Sequence, residues 1–174
     1  MIEFFPDILP KYENLALYDK LLGSPFRFKN ISNAPVDKNS TNRGAGEDEF
    51  WFWVMDLMDD PYYTSHFFNI IQKVTNRKFE LVKLHANGQT YGQNGNWHTD
   101  QDDGYTFIYY VNSLWDPKWG GSTVLINEEQ IVVQPFIPNA GILFKSNLMH
   151  LGSEPTRHFN GLRITIAYLL QEKK

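Results

Sequence analysis

The sequence predicts an α+β domain, rich in β structure, in which helices precede a β-sandwich or barrel. Two observations lead to this prediction. Before residue 79, two segments carry apolar residues at the spacing of amphipathic helices. From residue 79 onward, short apolar or alternating runs are separated by Gly, Pro, Asn or Asp, which is the pattern of a sandwich or barrel. A length of 174 residues suits a single domain.

The first half is predicted to contain two helices and a strand. Residues 10–24 carry leucines at helical spacing and end in Gly-Ser, so a helix of about three turns is expected. Residues 26–32 alternate and indicate a strand. Asp60 and Pro61 are the expected cap and first residue of the second helix. Its apolar stripe consists of Phe67, Phe68, Ile70, Ile71 and Val74.

The second half is predicted to be a series of short strands. The segments are FELVKLH (79–85), YTFIYYVN (105–112), STVLIN (122–127), QIVVQPF (130–136), GILFK (141–145) and LRITIAYLL (162–170). Between the two halves, the polar residues 33–49 predict a long surface loop.

Composition and charge argue against several classes of protein. The chain has no cysteine, so it has neither a disulfide framework nor a thiolate metal site. The net charge of −4 supplies no basic surface for nucleic acid. The first residues resemble no signal peptide, and no run of 18 apolar residues exists for a membrane helix. We therefore expect a cytoplasmic protein with no nucleic-acid or membrane partner.

The segment NGNWHTDQDDG contains a candidate metal site. Residues i and i+2 of a strand point to the same face, so His98 and Asp100 can hold one ion. Mononuclear iron(II) sites for oxygen chemistry use two histidines and one carboxylate and leave positions open. His150, at the end of a predicted strand and turn, is the best third ligand. The alternative is that His98 is a structural histidine, which is common for an isolated His-x-Asp triplet.

A candidate anion-binding residue lies in the last predicted strand. Arg163 and Thr165 share one face of GLRITIAYLL, while Ile164 and Ile166 face the other way. A guanidinium inside a barrel needs an anion, and its planar fork matches a carboxylate. The alternative is an exposed arginine or one paired with a glutamate.

The ordered set of motifs resembles the iron(II)- and 2-oxoglutarate-dependent oxygenases, specifically the prolyl 4-hydroxylase-like branch. The resemblance extends over residues 79–170 and rests on the following segments: HANGQTYGQNGNWHTD, FIYYVNSLWD, WGGSTVLIN, PNAGILF, LMH and GLRITIAYLL. It implies a double-stranded β-helix core, of the jelly-roll or cupin-like type, with the N-terminal helices packed on one sheet. We expect one oxygenase domain over residues 1–174, with a helical part at about 1–78 and the core at about 79–172.

The resemblance also implies cofactors and residue roles. Fe(II) would be held by His98, Asp100 and His150; 2-oxoglutarate and O2 would be cosubstrates, and ascorbate is a candidate reductant. Arg163 would bind the far carboxylate of 2-oxoglutarate, with Arg157 as the rival cation. The other candidate cosubstrate contacts are Tyr109, Thr123, Thr165 and His85, the last at a position where relatives often have tyrosine.

The predicted activity is hydroxylation of a C–H bond, with peptidyl proline as the expected substrate. Tyr91, Trp51 and Trp53 are candidate substrate contacts, and the loop at residues 33–49 is a candidate lid. A small-molecule oxygenase acting on a free amino acid is the alternative, and a non-enzymatic cupin-like metal-binding module is a third. Nucleic-acid demethylases of this superfamily are expected to have a second arginine at position 169, which is leucine in this sequence.

Overall fold

The structure is a computed structural model that describes residues 1–30 and 51–173. The loop expected at residues 33–49 lies outside the described residues. The helices are α1 (Lys11–Leu22) and α2 (Phe68–Thr75), which follows a π-helical segment, Tyr62–Phe67. The strands are β1 (Ile2–Phe5), β2 (Arg27–Asn30), β3 (Trp51–Asp56), β4 (Phe79–Gln89), β5 (Tyr105–Tyr110), β6 (Thr123–Asn127), β7 (Gln130–Gln134), β8 (Gly141–Lys145), β9 (His150–Gly152) and β10 (Arg163–Glu172).

Two antiparallel sheets form the body of the molecule. The larger sheet has the strand order β1-β8-β5-β10-β4-β3-β2, and the smaller has the order β7-β6-β9. An apolar core lies between the two sheets and contains Ile108, Leu125, Phe136, Ile142 and Phe144. The predicted β-rich α+β class is therefore confirmed.

The helices cover the other face of the larger sheet. Leu17 and Leu21 of α1 and Ile71 of α2 are buried there, in a second apolar core. Asp60 caps the second helical segment as predicted, because its Oδ1 accepts a hydrogen bond of 2.9 Å from the Tyr62 amide. No helix in the described part of the chain is long and apolar enough to cross a membrane.

The first 78 residues contribute strands to the larger sheet as well as the helices. Strand β1 pairs with β8 at one edge, and β2 and β3 extend the sheet beyond β4 at the other. The part expected to be helical, about residues 1–78, thus contains strands β1, β2 and β3 beside its helices, and the larger sheet continues across the boundary at residue 78. Strand β1 is only four residues long, and strands of that length have a weak sequence pattern.

Strand β10 determines which side chains face the space between the sheets. It pairs with β4 on one side and with β5 on the other. Arg163, Thr165 and Ala167 point between the sheets, whereas Ile164 and Ile166 point into the helix-side core. Residues directly opposite each other on neighbouring strands share a face, so this register fixes the orientation of β4 and β5 as well.

Candidate active site

His98, Asp100 and His150 meet at one end of the space between the sheets. The backbones of His98 and His150 exchange two hydrogen bonds, of 3.0 and 2.9 Å. The Asp100 amide donates to the Ser146 carbonyl at 2.9 Å. The expected strand at His98 is therefore only an isolated bridge, but the pairing with β9 still brings the three side chains together.

The side-chain geometry leaves one ligand atom free on each residue. The three ligand atoms lie within 4.8 Å of one another. The Asp100 carboxylate is 3.6 Å from Nε2 of His98 and 3.4 Å from Nε2 of His150, which is longer than a well-formed hydrogen bond. Nδ1 of His98 donates to the Asn96 carbonyl at 2.8 Å, and Nδ1 of His150 donates to the Leu148 carbonyl at 2.9 Å. Both Nε2 lone pairs therefore point into the cluster.

The electrostatics of the cluster favour a bound cation. Burial opposes the charge of Asp100, but the neighbouring imidazoles of His150 and His98 hold the pKa of this carboxyl well below its usual range. Burial also opposes the charge of His98, but the Asp100 carboxylate raises the pKa of His98 above its usual value. The carboxylate thus stays ionised and attracts a positive charge, which is supplied by a proton or by a metal ion.

A chain of hydroxyl groups orients the carboxylate. The Thr106 hydroxyl donates to Oδ2 of Asp100 at 2.6 Å, and the Ser146 hydroxyl lies 3.0 Å from that of Thr106. Gln101 in turn donates to Ser146 at 3.3 Å. Metal-ligating carboxylates are commonly fixed by such outer hydrogen bonds.

The cluster fits Fe(II). Two imidazoles and one carboxylate form the donor set of the facial triad in non-haem iron oxygenases. The Nδ1 hydrogen bonds select the tautomer in which Nε2 is the ligand atom. Of the described residues, these three alone form a group of this kind.

Arg163 lies in the same space between the sheets and has only 1% of its surface exposed. Nε donates to the Gly121 carbonyl and Nη1 to Oε1 of Gln89, both at 2.7 Å. The guanidinium also lies 5.4 Å from the ring centre of Phe136. Burial lowers the pKa of Arg163 to about 10, so it remains a cation at neutral pH. No carboxylate in the described ranges forms an ion pair with it.

Tyr110 and Thr123 are buried near Arg163. The Tyr110 hydroxyl donates to Oγ1 of Thr123 at 2.9 Å, and burial raises the pKa of Tyr110 to about 12. Gly121 has a φ of +74°, and a Cβ there would lie 3.0 Å from Arg163 atoms. The glycine of the Trp-Gly-Gly turn is therefore required both by the backbone and by the arginine.

Two further polar side chains face this space without a partner. His85 lies opposite Ala167, and Asn87 lies opposite Thr165, so both share the face of Arg163. Nδ1 of His85 and Oδ1 of Asn87 are buried and have no hydrogen-bond partner. Burial lowers the pKa of His85 to about 4, so its imidazole is neutral at physiological pH. Buried polar atoms without partners indicate a site for a polar ligand.

The structure corrects the proposed role of Tyr109. Its ring belongs to the helix-side core, and its hydroxyl donates to Oδ1 of Asn139 at 2.8 Å and accepts from Asn14 at 2.9 Å. Successive residues of a strand point to opposite faces, so Tyr110 faces the space between the sheets and Tyr109 does not.

The candidate substrate contacts Trp51 and Trp53 do not lie on the face of the sheet that carries Arg163. Trp53 lies opposite Gly88, and Gly88 is on the face of β4 opposite to that of His85, Asn87 and Gln89. Trp51, two residues away, lies on the same side as Trp53, and both rings pack against Phe28. The residues of β3 that continue the face of the site are Phe52, Val54 and Asp56.

Tyr91 and Arg157 lie together at the surface. Tyr91 is 56% exposed, and the Arg157 guanidinium lies 5.7 Å from its ring centre. Of the two candidate cations, only Arg163 is therefore inside the barrel.

Sequence reasoning missed Tyr110, Gln89 and Thr106. Every residue of β5 is buried, so Tyr109 and Tyr110 had no alternation to distinguish them. The signal that could have found Tyr110 and Gln89 is the pairing with Arg163 and Thr165 on β10.

An antiparallel barrel with a two-histidine, one-carboxylate cluster and a buried cation beside it defines a non-haem iron oxygenase. The family model of the 2OG-Fe(II) oxygenase superfamily matches residues 83–171, and the chain belongs to this family. Membership implies Fe(II), 2-oxoglutarate and O2, and the core is a double-stranded β-helix. No curated protein sequence matches the chain.

Solved structures share the fold at low sequence identity. A prolyl hydroxylase from Trichoplax adhaerens, in complex with a hypoxia inducible factor peptide fragment, is 20% identical, with a TM-score of 0.69 over 98% of this chain and 83% of its own. The viral collagen prolyl hydroxylase of Paramecium Bursaria Chlorella virus-1, in complex with 2OG, is 15% identical, with a TM-score of 0.62 over 99% of this chain and 96% of its own. The epimerase SnoN from nogalamycin biosynthesis is 11% identical, with a TM-score of 0.64 over 98% of this chain and 76% of its own.

Proposed function

We propose that this oxygenase hydroxylates a C–H bond of a peptide substrate, at proline. The observation that carries the oxygenase part of the proposal is the position of the buried cation Arg163 in the same barrel as the metal cluster, without a carboxylate partner among the described residues. This arrangement suits a small dicarboxylate held between the metal and the guanidinium.

His98, Asp100 and His150 would hold the iron, and their three ligand atoms leave the remaining positions for cosubstrate and O2. Bound Fe(II) supplies the activation of O2 that is coupled to oxidative decarboxylation of 2-oxoglutarate to succinate and CO2. Thr106 keeps the Asp100 carboxylate oriented throughout, through its hydroxyl.

Arg163 would bind the far carboxylate of 2-oxoglutarate with the donors that Gly121 and Gln89 leave free. Tyr110 and Thr123 are the proposed hydroxyl partners of the same carboxylate, and Thr165 lines the path between Arg163 and the cluster.

His85 and Asn87 are proposed to hydrogen-bond the part of the cosubstrate that lies between Arg163 and the metal. Their partnerless atoms support this role. A neutral imidazole donates one hydrogen bond without adding a second cation.

Two findings support a peptidyl proline substrate. The sequence segments resemble those of the prolyl-hydroxylase-like branch, and two of the three similar structures named above are prolyl hydroxylases, one with a bound peptide. The epimerase among the similar structures illustrates that this fold supports other reactions, so the substrate requires a direct test.

The test is succinate release by anaerobically iron-loaded protein under O2, with proline-rich peptides and with free amino acids. We expect release coupled to peptide and a mass increase of one oxygen atom on proline, labelled from 18O2. His98→Ala is the inactive control. Succinate release that is coupled only to free amino acids would reject the peptide substrate but keep the oxygenase activity. No substrate-coupled succinate release with any of these compounds would reject both the peptide substrate and the proposed hydroxylation.

A further inference from the structure

The smaller sheet has an open edge at β7. This strand pairs with β6 on one side, and no strand in the described part of the chain pairs with its other side. Its sequence, QIVVQ, contains no charged residue, proline or glycine. Natural proteins usually protect an edge strand with such residues or with a bulge. An unprotected edge is a surface on which another strand can pair.

The outward-facing side chains of this edge are apolar. Ile131 and Val133 are 69% and 55% exposed, and they lie opposite Ile126 and Val124 of β6. The outer face of the smaller sheet is thus a continuous β-branched surface at its open edge. Exposed apolar patches of this kind mark interaction sites.

The backbone groups at the edge are directed outward at Ile131 and Val133. The Ile126 amide donates to the Met149 carbonyl at 2.8 Å, on the β9 side. Backbone N–H and C=O groups of successive residues in an antiparallel strand point to alternate sides, so those of Leu125 point to β7. Val132 of β7 is paired with Leu125, so its backbone N–H and C=O groups point to β6. The N–H and C=O groups of Ile131 and Val133 therefore point to the open side.

The occupant that fits this edge best is a second copy of the chain. The strand is nearly palindromic about Val132: valine and isoleucine flank it, and glutamines follow on both sides. A two-fold dimer requires a surface complementary to itself, which a palindromic strand supplies. We propose that β7 pairs antiparallel with β7 of a second copy, across a two-fold axis through Val132.

In this pairing each Ile131 lies opposite Val133 of the second copy and exchanges both backbone hydrogen bonds with it. Gln130 lies opposite Gln134 of the second copy, and the two Val132 residues meet on the axis as a non-hydrogen-bonded pair. A chemically different partner would need no such symmetry. The proposal is independent of the reaction that the enzyme catalyses.

The first experiment measures mass by sedimentation between about 1 and 300 µM protein. A five-residue pairing is smaller than a standard interface of roughly 1,600 Å², so we expect a dimer with a Kd of about 1–100 µM. Ile131→Lys should raise the Kd at least about tenfold, because it places a charge opposite an apolar side chain. Leu114→Lys, at an apolar residue that is 73% exposed elsewhere, is the matched control and should leave the Kd unchanged. A monomer at every concentration would overturn the proposal.

The second experiment tests the register, and it uses the absence of cysteine from the chain. Val132→Cys should form an intermolecular disulfide on mild oxidation, because Cβ atoms of a non-hydrogen-bonded pair are close. Ile131→Cys should not link to itself, because its two copies lie on opposite sides of the axis. Equal cross-linking of the two variants would indicate random collision and overturn the register. Circular dichroism of each variant verifies the fold.

Discussion

Replacing Arg163 by alanine should weaken 2-oxoglutarate binding strongly and leave metal binding nearly unchanged. The guanidinium is buried, remains charged, and uses Nε and one Nη1 hydrogen for Gly121 and Gln89. Its remaining donors are free for a ligand. The guanidinium belongs to no ion pair with the metal-cluster residues, so the metal ligands should keep their positions.

The magnitude follows from the strength of a buried charge-assisted pair. Such a pair contributes about 2–3 kcal/mol, and about 1.4 kcal/mol corresponds to a factor of ten. Arg163→Ala should therefore raise the half-saturating 2-oxoglutarate concentration by roughly 30- to 150-fold. Arg163→Lys should lose less, because it keeps the charge and loses the planar fork.

The assay is succinate release as a function of 2-oxoglutarate concentration, with direct 2-oxoglutarate titration of Mn(II)-loaded protein as the second measurement. Thermal unfolding of each variant separates loss of affinity from loss of fold, since the alanine also leaves a cavity. Arg157→Ala is the control, because Arg157 is an exposed loop residue that contacts the Tyr91 ring. The reverse result, with Arg157→Ala impaired and Arg163→Ala unaffected, would refute the assignment.

Three further predictions concern the same site. Tyr110→Phe should raise the half-saturating 2-oxoglutarate concentration about 5- to 10-fold, which corresponds to the loss of one buried hydrogen bond. Tyr109→Phe should instead lower the free energy of unfolding by about 1 kcal/mol and leave that concentration unchanged. Equal effects of the two variants on 2-oxoglutarate affinity would contradict the strand register. Thr106→Val should weaken metal binding about 10-fold in a competitive chelator titration, because Asp100 loses its orienting hydroxyl; unchanged affinity would show that the hydroxyl is not required. Metal affinity should rise with pH by up to about tenfold per pH unit below the raised pKa of His98 and level off above it, because the metal must displace the one proton of His98 while Asp100 is already ionised. A flat profile between about pH 5.5 and 8 would contradict this order of protonation.

The sequence was sufficient for those parts of the site that depend on short-range spacing. His98 and Asp100 are two residues apart, and any extended backbone directs them to one side. Arg163 and Thr165 follow the same rule on β10 and indeed share a face between the sheets.

The parts that could not be predicted depend on pairing between distant strands. The choice between Tyr109 and Tyr110 is made by the register of β5 against β10, which are more than fifty residues apart in the chain. The faces of Trp51 and Trp53 depend on β3 pairing with β4 at Gly88. The partner of Arg163, Gln89, lies beyond the predicted end of its strand, because the pairing with β10 extends β4 past His85.

The two-sided burial of β10 constrains how the sequence can change by insertion and deletion. A single residue inserted within Arg163–Ala167 would exchange the two faces, placing Ile164 in the space between the sheets and the guanidinium in the helix-side core. The register shift in the pairing with β4 occurs between Leu169 and Leu170, beyond these residues, where it leaves their orientation intact. The loop from residue 153 to 162 precedes the strand, so its length can vary without altering the strand's alternation. Length variation near the site is therefore expected in that loop, and the strand itself should accept substitutions only.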